Sequence, residues 1–179
     1  DDCLALSFDF QLDTHTAIIP PDEYFLLLNS FFSKVEEIFN MPVVIAAHPN
    51  GKEYSNYGLR FNNRVTIFDA TAQLTLSCRF VMTHFSSAIN YAVLLRKPIW
   101  LLDFDKLKIR PQGLALNLMH RLLECERVEI DCLFSLKKSV NFRIDEPSYK
   151  DYEEKYITNI NVKSNNSFAE LIVYLKSLD

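Results

Sequence analysis

Short apolar runs alternate with longer segments of helical periodicity along most of the chain. A continuous apolar run of about 4–8 residues is typical of a buried strand, and apolar residues three and four positions apart are typical of an amphipathic helix. The pattern predicts strands at residues 4–10, 42–47, 65–68, 80–83, 98–102 and 128–132. It predicts helices at residues 22–40, 71–77, 86–96, 113–124, 149–160 and 167–178, with residues 11–21 and 51–63 as loops.

The order of these elements predicts the fold class. Strand–helix–strand alternation favours a parallel sheet with helices on both faces. Right-handed crossovers then give an α/β, Rossmann-like, doubly wound and mainly parallel sheet with C-terminal helices. We expect five or six strands, with residues 4–10 in the sheet. Residues 43–47 and 80–83 should be central because their apolar runs indicate burial on both faces.

We expect two parts within one domain. Residues 1–145 would form the Rossmann-like domain, and residues 146–179 would form its helical extension. Asp22 is the predicted N-cap of the first helix, and Ser86 is the predicted cap of the helix that ends near Arg96. Because the sequence begins Asp1-Asp2-Cys3 without methionine, we expect a fragment of a longer two-domain protein.

Composition narrows the function classes. The 179 residues carry a formal charge of −4, and 49% of them are hydrophobic. No basic stripe is present, which disfavours a nucleic-acid partner. No apolar run approaches the ~20 residues of a membrane span, so we expect at most peripheral membrane association. The four cysteines lack C-x-x-C spacing, which disfavours a zinc or redox motif and favours buried thiols in the cytoplasm.

The first candidate site follows the predicted strand 42–47. Open parallel sheets bind ligands at the carboxyl ends of their strands. The imidazole of His48 could donate a hydrogen bond to a ligand phosphate there, and Pro49 would hold His48 in extended backbone. We expect Pro49 and Asn50 to belong to the same phosphate-binding site. The alternative is a capping histidine satisfied by a neighbouring carbonyl.

The second candidate site follows the predicted strand 80–83, and consists of His84, Ser86 and Ser87. Two hydroxyls at a helix start, together with free N–H groups, favour anion binding. Serine is also a favoured N-cap that needs no ligand. We expect His48 and the serine pair to hold one phosphate from two sides.

Weaker candidates lie at three other positions. Asp13 and His15 follow the first predicted strand, where a carboxylate could act as a general base or hold a ligand hydroxyl. An Asx-turn at Asp13 is the alternative. Thr71, at the start of helix 71–77, is a further binding candidate. The sequence contains no dinucleotide-binding fingerprint, P-loop, nucleophile elbow or zincin motif, which disfavours those enzyme classes.

Two longer strings carry a family resemblance. VVIAAHPN and FDATAQLTLSCRFVMTHFSSAINYAVLLRKPIWLL resemble the nucleotide-binding half of GT-B glycosyltransferases that build bacterial capsule and surface polysaccharides. More narrowly, they look like the sialyltransferase and Kdo-transferase type, whose HP and Ser-Ser motifs map to His48-Pro49 and Ser86-Ser87. The upstream string FDFQLDTHTAIIPPDEYFLLLNSFFSKVEEIF resembles the segment leading into that half. The resemblance covers about residues 4–104 and implies that the sheet is of the GT-B C-terminal domain type.

The resemblance implies transfer of a sugar from a nucleotide-activated donor, possibly CMP-sialic acid or CMP-Kdo, to a glycan or lipid-linked acceptor. It implies a metal-independent reaction with no cofactor besides that donor. The HP histidine would contact the donor phosphate, and the serine pair would bind the phosphate or the sugar-acid side. The family's general base belongs to an acidic motif of the amino-terminal domain, which Asp13 matches poorly. The alternatives are a UDP-sugar enzyme, such as an epimerase or hexosyltransferase, and a non-catalytic module that binds a nucleotide or a partner.

Overall fold

The computed structural model describes residues 19–53, 57–108, 111–132 and 142–158. The helices are α1 (Pro21–Phe39), α2 (Thr71–Ser77), α3 (Ile89–Leu94), α4 (Asp105–Lys108), α5 (Pro111–Leu123) and α6 (Glu146–Tyr152). The strands are β1 (Ile45–Ala47), β2 (Thr66–Phe68), β3 (Val81–Thr83), β4 (Ile99–Asp103) and β5 (Glu126–Glu129). The 3₁₀ helices Pro49–Glu53 and Tyr57–Phe61 lie between β1 and β2, and the π-helical turn Glu153–Ile157 follows α6. The predicted strand 4–10 and helix 167–178 lie outside the described residues.

Every strand pair of the described chain is parallel, which confirms a mixed α/β protein with parallel sheets. β1 pairs with β2, placing Ala46 opposite Ile67. β4 pairs with β3 on one side and with β5 on the other. The expected single sheet is therefore not seen: the described strands form one two-stranded and one three-stranded hydrogen-bonded sheet.

The central strand is β4, whose five residues are all buried. In the hydrogen-bonded sheets of the described residues, β1 and β3 are edge strands, so the central place expected for residues 43–47 and 80–83 in a single sheet stays a prediction. Among the described strands β3 pairs with β4 alone, and Ala46 of β1 is exposed between half-buried Ile45 and buried Ala47. A run of apolar residues indicates that a strand can be buried on both faces. Whether helices actually cover both faces depends on tertiary packing, which the run does not show.

Helix α1 covers the sheet and runs antiparallel to β3. Its first turn reaches the carboxyl end of β3, where the Tyr24 hydroxyl lies 2.9 Å from Nε2 of His84. Its last turn reaches the amino end of β3, where the rings of Phe39 and Phe80 are 6.2 Å apart. The apolar face of α1 belongs to one buried core that also includes residues from both sheets and from α6.

Several predicted boundaries were wrong, for local reasons. α1 begins at Pro21, ahead of the predicted cap Asp22, because proline suits the first helical position. The predicted loop 51–63 contains the end of the 3₁₀ helix Pro49–Glu53 and all of the 3₁₀ helix Tyr57–Phe61. Strand β5 covers Glu126–Glu129 instead of residues 128–132, and α6 begins at Glu146, three residues before its predicted start. Asp145 caps α6 by accepting a hydrogen bond from the Ser148 amide at 2.9 Å.

The contact between α4 and α5 leads to a stability prediction at Gly113. A Cβ atom there would lie 2.4 Å from the backbone oxygen of Leu107 and 3.0 Å from Cα of Lys108. Gly113→Ala should therefore lower the free energy of unfolding by about 1–3 kcal/mol, as overpacking does. Gly58→Ala is the matched control, since its nearest neighbour is the Thr66 hydroxyl at 3.8 Å. Urea unfolding of both variants measures the difference, and equal stabilities would contradict the close contact.

Candidate functional site

The candidate residues follow the carboxyl ends of parallel strands. His48 comes directly after β1, Asp69 directly after β2 and His84 directly after β3. At the opposite edge, Nη1 of Arg79, two residues before β3, lies 3.9 Å from the sulfur of Met41, ahead of β1. The amino ends of β1 and β3 are thus close together.

The predicted strand before His48 ends at Ala47 in the structure, as the sequence indicated. The His48 side chain is half-buried, and the chain turns at once into the 3₁₀ helix Pro49–Glu53. The backbone oxygen of His48 accepts a hydrogen bond from the Gly51 amide at 2.8 Å, which closes the first turn. Pro49 and Asn50 begin that helix. Contact between His48 and a phosphate stays a prediction.

Asp69 also lies at this end of the strands, although our sequence reasoning did not include it among the candidate residues. The register pairs Ala47 with Phe68, so His48 and Asp69 leave adjacent strand ends at the same edge. Asp69 has a left-handed backbone, with φ of 55°, a conformation that aspartate tolerates better than most residues. A signal was present, because a carboxylate about 20 residues beyond the first strand–helix turn binds ribose in dinucleotide-binding folds.

Asp69 forms an ion pair with Nζ of Lys52, which belongs to the 3₁₀ helix after His48. Both side chains are more than half exposed, at 57% for Asp69 and 54% for Lys52. The ammonium group also lies 5.8 Å from the ring centre of Phe68. An exposed ion pair is weak, so a ligand at this edge could replace either partner at little cost in free energy.

His84 is buried, contrary to its expected place in a phosphate site. Its side chain is 1% exposed, and Nδ1 lies 2.7 Å from the backbone oxygen of Leu102. A carbonyl can only accept, so Nδ1 carries the hydrogen and Nε2 accepts from the Tyr24 hydroxyl. Burial lowers the pKa of His84 to about 3, which keeps the imidazole neutral. Both nitrogens serve the link between α1, β3 and β4, which leaves no ring nitrogen for a phosphate.

Ser86 and Ser87 lie in a turn and not in a helix. α3 begins only at Ile89, so the predicted start at Ser86 was wrong. The Ser86 hydroxyl accepts a hydrogen bond from the Ala88 amide at 3.3 Å, and the Ser86 carbonyl accepts one from Ile89 at 3.0 Å. The bond from the Ala88 amide satisfies an N–H group just ahead of α3, as a capping serine does. Ser87 is exposed, and its role as an anion ligand stays a prediction.

The remaining candidates are less informative. Thr71 begins α2, is half-buried, and its carbonyl accepts a hydrogen bond from the Thr75 hydroxyl at 2.7 Å. Asp13 and His15 lie outside the described residues. No group of three potential metal ligands occurs among the residues that the structure describes.

A second polar cluster occupies the carboxyl end of β4. Asp103 is fully buried, and its Oδ1 accepts a hydrogen bond from the Phe104 amide at 2.9 Å. Its Oδ2 accepts from Nε of Arg127 at 2.8 Å, and Nη1 of Arg127 donates to Asn117 at 2.5 Å. These contacts join β4, β5 and α5, and they leave the Asp103 carboxylate engaged within the protein.

No candidate site residue lines either of two surface clefts formed by described residues. One, of about 480 Å³, is lined by Pro21, Asp22, Phe25, Leu26, Asn29, Arg60 and Asn62. The other, of about 390 Å³, is lined by Glu124, Glu126, Arg143, Ile144 and Asp145. Within the described part of the chain, no helix combines the length and apolar character needed to cross a membrane.

Comparison with known proteins identified no similar protein. No protein-family model, no curated protein and no solved structure matches the chain. The case for a function therefore rests on the residues at the strand ends.

Proposed function

We propose that this chain is the nucleotide-sugar-binding domain of a metal-independent glycosyltransferase, with a CMP-sugar as the favoured donor. One observation carries the proposal. His48 and Asp69 leave the adjacent ends of β1 and β2, and the Ser86–Ser87 turn leaves the end of β3. Such strand ends form the ligand edge of an open parallel sheet.

The proposal includes a doubly wound, Rossmann-like strand order of β2-β1-β3-β4-β5. The contact between Met41 and Arg79 at 3.9 Å supports it, because these residues precede β1 and β3 at the same edge. The common core of the two sheets also supports it. In this order the crossover direction reverses between β1 and β3, and ligands bind in the crevice at such a reversal. His48 and Ser86 would then line the two sides of that crevice.

Each residue has a chemical role suited to a nucleotide donor. The imidazole of His48 and the hydroxyls of Ser86 and Ser87 would donate hydrogen bonds to the phosphate. They would also stabilise the charge that develops there as the sugar leaves. The Asp69 carboxylate would accept hydrogen bonds from the ribose hydroxyls. The general base would come from outside the described residues, and a glycan or lipid-linked acceptor would be glycosylated in the cytoplasm or at the inner face of the membrane.

Binding of CMP, UDP, cytidine and 2′,3′-dideoxycytidine by isothermal titration tests these roles. We expect His48→Ala and Ser87→Ala to weaken CMP binding about 10–100-fold, the usual effect of losing a hydrogen bond to a charged group. Ser87→Ala should leave cytidine binding unchanged. Asp69→Asn should weaken CMP and cytidine alike, but not the dideoxynucleoside, which lacks both ribose hydroxyls. If UDP binds more tightly than CMP, the donor is a UDP-sugar and not a CMP-sugar.

Matched controls separate binding from folding. His120 is half-buried and bonded to the backbone oxygen of Cys125 at 2.8 Å, and Ser77 is exposed at the end of α2. His120→Ala and Ser77→Ala should bind CMP as the parent does. The proposal fails if no nucleotide binds the parent chain, or if Ser87→Ala weakens cytidine and CMP equally.

A non-catalytic nucleotide-binding module is the second candidate. It is favoured by the state of two carboxylates at the strand ends: Asp69 is paired with Lys52, and Asp103 is buried against Arg127. Neither carboxylate is available as a general base, because each is paired with a cation. If the protein binds CMP but never consumes a CMP-sugar with any glycan acceptor, this candidate gains over the transferase.

A further inference from the structure

Lys52 is a cation near the proposed donor site that the roles above leave unassigned. It lies four residues after His48, about 8 Å along the 3₁₀ helix Pro49–Glu53 at about 2.0 Å per residue. The segments that directly follow β1, β2 and β3 are residues 48–53, 69–77 and 84–94, and Lys52 is the one lysine or arginine in them. Any permanent positive charge that these segments supply to a phosphate therefore comes from Lys52.

The turn that carries Lys52 is packed against two aromatic rings. A Cβ atom at Gly51 would lie 2.8 Å from the Tyr57 ring and 3.2 Å from the Phe68 ring. The centres of these two rings are 5.6 Å apart. Because glycine has no Cβ, the turn can approach both rings closely. The backbone at Lys52 is thus held in place, whereas its side chain is exposed.

We propose that Lys52 binds the donor phosphate, and that it exchanges its Asp69 partner for the phosphate when the nucleotide binds. This inference rests on the proposed function and adds a cation to the same site. In the structure the Lys52 ammonium pairs with the Asp69 carboxylate and lies 5.8 Å from the ring centre of Phe68. The four-carbon stem of lysine is flexible, so the ammonium can leave Asp69 while the backbone stays in place.

The exchange satisfies both ends of a nucleotide. His48, Ser86 and Ser87 supply hydrogen bonds but no permanent charge, and hydrogen bonds from a charged donor to phosphate are stronger than neutral ones. Once the ammonium leaves, the Asp69 carboxylate has more lone pairs for the ribose hydroxyls that the proposed function assigns to it. Both side chains of the pair are more than half exposed, so opening it costs little free energy.

Isothermal titration of Lys52→Met and Lys52→Arg with CMP and cytidine tests the phosphate contact. Methionine keeps part of the apolar stem and removes the charge, so Lys52→Met should bind CMP about tenfold more weakly. It should bind cytidine, which has no phosphate, as the parent does. Lys52→Arg retains the charge and should bind CMP within about threefold of the parent. Added KCl should weaken CMP binding less in Lys52→Met than in the parent, because salt screens the interaction that the variant lacks.

Inorganic pyrophosphate, which has no ribose, tests the exchange of partners. Lys52→Met should weaken pyrophosphate binding about tenfold. Asp69→Asn should bind pyrophosphate at least as tightly as the parent, because the ammonium no longer has to leave a carboxylate. Weaker pyrophosphate binding in Asp69→Asn would show that Asp69 holds Lys52 in position, and would overturn the exchange.

Lys155 provides the matched control. It forms a similar pair with Asp151 at 2.7 Å, with side chains 60% and 52% exposed, and it belongs to the π-helical turn Glu153–Ile157. Lys155→Met should bind CMP as the parent does. If the parent binds CMP and Lys52→Met binds it equally well, this inference fails and the proposed function stands. If Lys52→Met weakens CMP and cytidine alike, the cause is lost local structure and the inference fails. If the parent binds no nucleotide, both fail.

Discussion

Arg127→Met should lower the free energy of unfolding by about 3–5 kcal/mol, the usual loss when one partner of a buried ion pair is removed. Asp103 is fully buried, whereas the Arg127 side chain is 27% exposed, so the arginine is the more solvated partner. Methionine keeps the apolar stem of the side chain. The variant therefore leaves a carboxylate inside the protein without its cation. Urea unfolding at neutral pH measures the change.

Two further variants show whether the unpaired charge is the cause. In Arg127→Met with Asp103→Asn, the neutral amide oxygen can still accept from the Phe104 amide, and part of the lost stability should return. Lys108 is the matched control, since it also pairs with a carboxylate at this edge, at 2.5 Å from Glu129, but Glu129 is 46% exposed whereas Asp103 is fully buried. Lys108→Met should change stability little. A double variant as unstable as Arg127→Met would point to lost packing.

Local patterns in the sequence predict the helices and strands, but they do not predict which strands pair or which helices pack against them. The spacing of apolar residues in α1 and the buried run of β4 are visible in the sequence, and both elements are present in the structure. Strand pairing is a tertiary property. Nothing in residues 42–47 shows that Val44 and Ala46 are exposed in the folded chain. The apolar run instead predicted burial on both faces.

At the candidate site, too, local features could be predicted from the sequence, whereas contacts between distant residues could not. His48 follows a strand because a proline and a glycine end the apolar run, which is a local signal. His84 follows a strand for equally local reasons, yet its partner Tyr24 is 60 residues earlier in the chain. Two histidines in similar sequence positions therefore have different surroundings. A contact between distant residues decided that one is buried and the other half-buried.

The burial of His84 makes stability depend on pH. The pKa of His84 is lowered from an ordinary value of 6.5 to about 3 in the folded protein, chiefly by burial. Between these values the unfolded chain binds a proton that the folded chain does not, so stability falls as the pH is lowered from 7. At pH 5 the loss should be about 2 kcal/mol, since each unit is worth about 1.4 kcal/mol.

Comparing variants isolates this contribution from the carboxylates that also titrate in acid. His84→Gln cannot titrate, so its unfolding free energy should change less between pH 7 and pH 5 than that of the parent, by about 2 kcal/mol. Tyr24→Phe removes the hydroxyl that donates to Nε2 but keeps the buried imidazole, so it should retain the pH dependence at lower stability. His120→Gln should retain it too, because His84 is intact. Equal pH dependence in His84→Gln and the parent would show that His84 is protonated in the folded protein, and its place between Tyr24 and Leu102 would need a different hydrogen-bond arrangement.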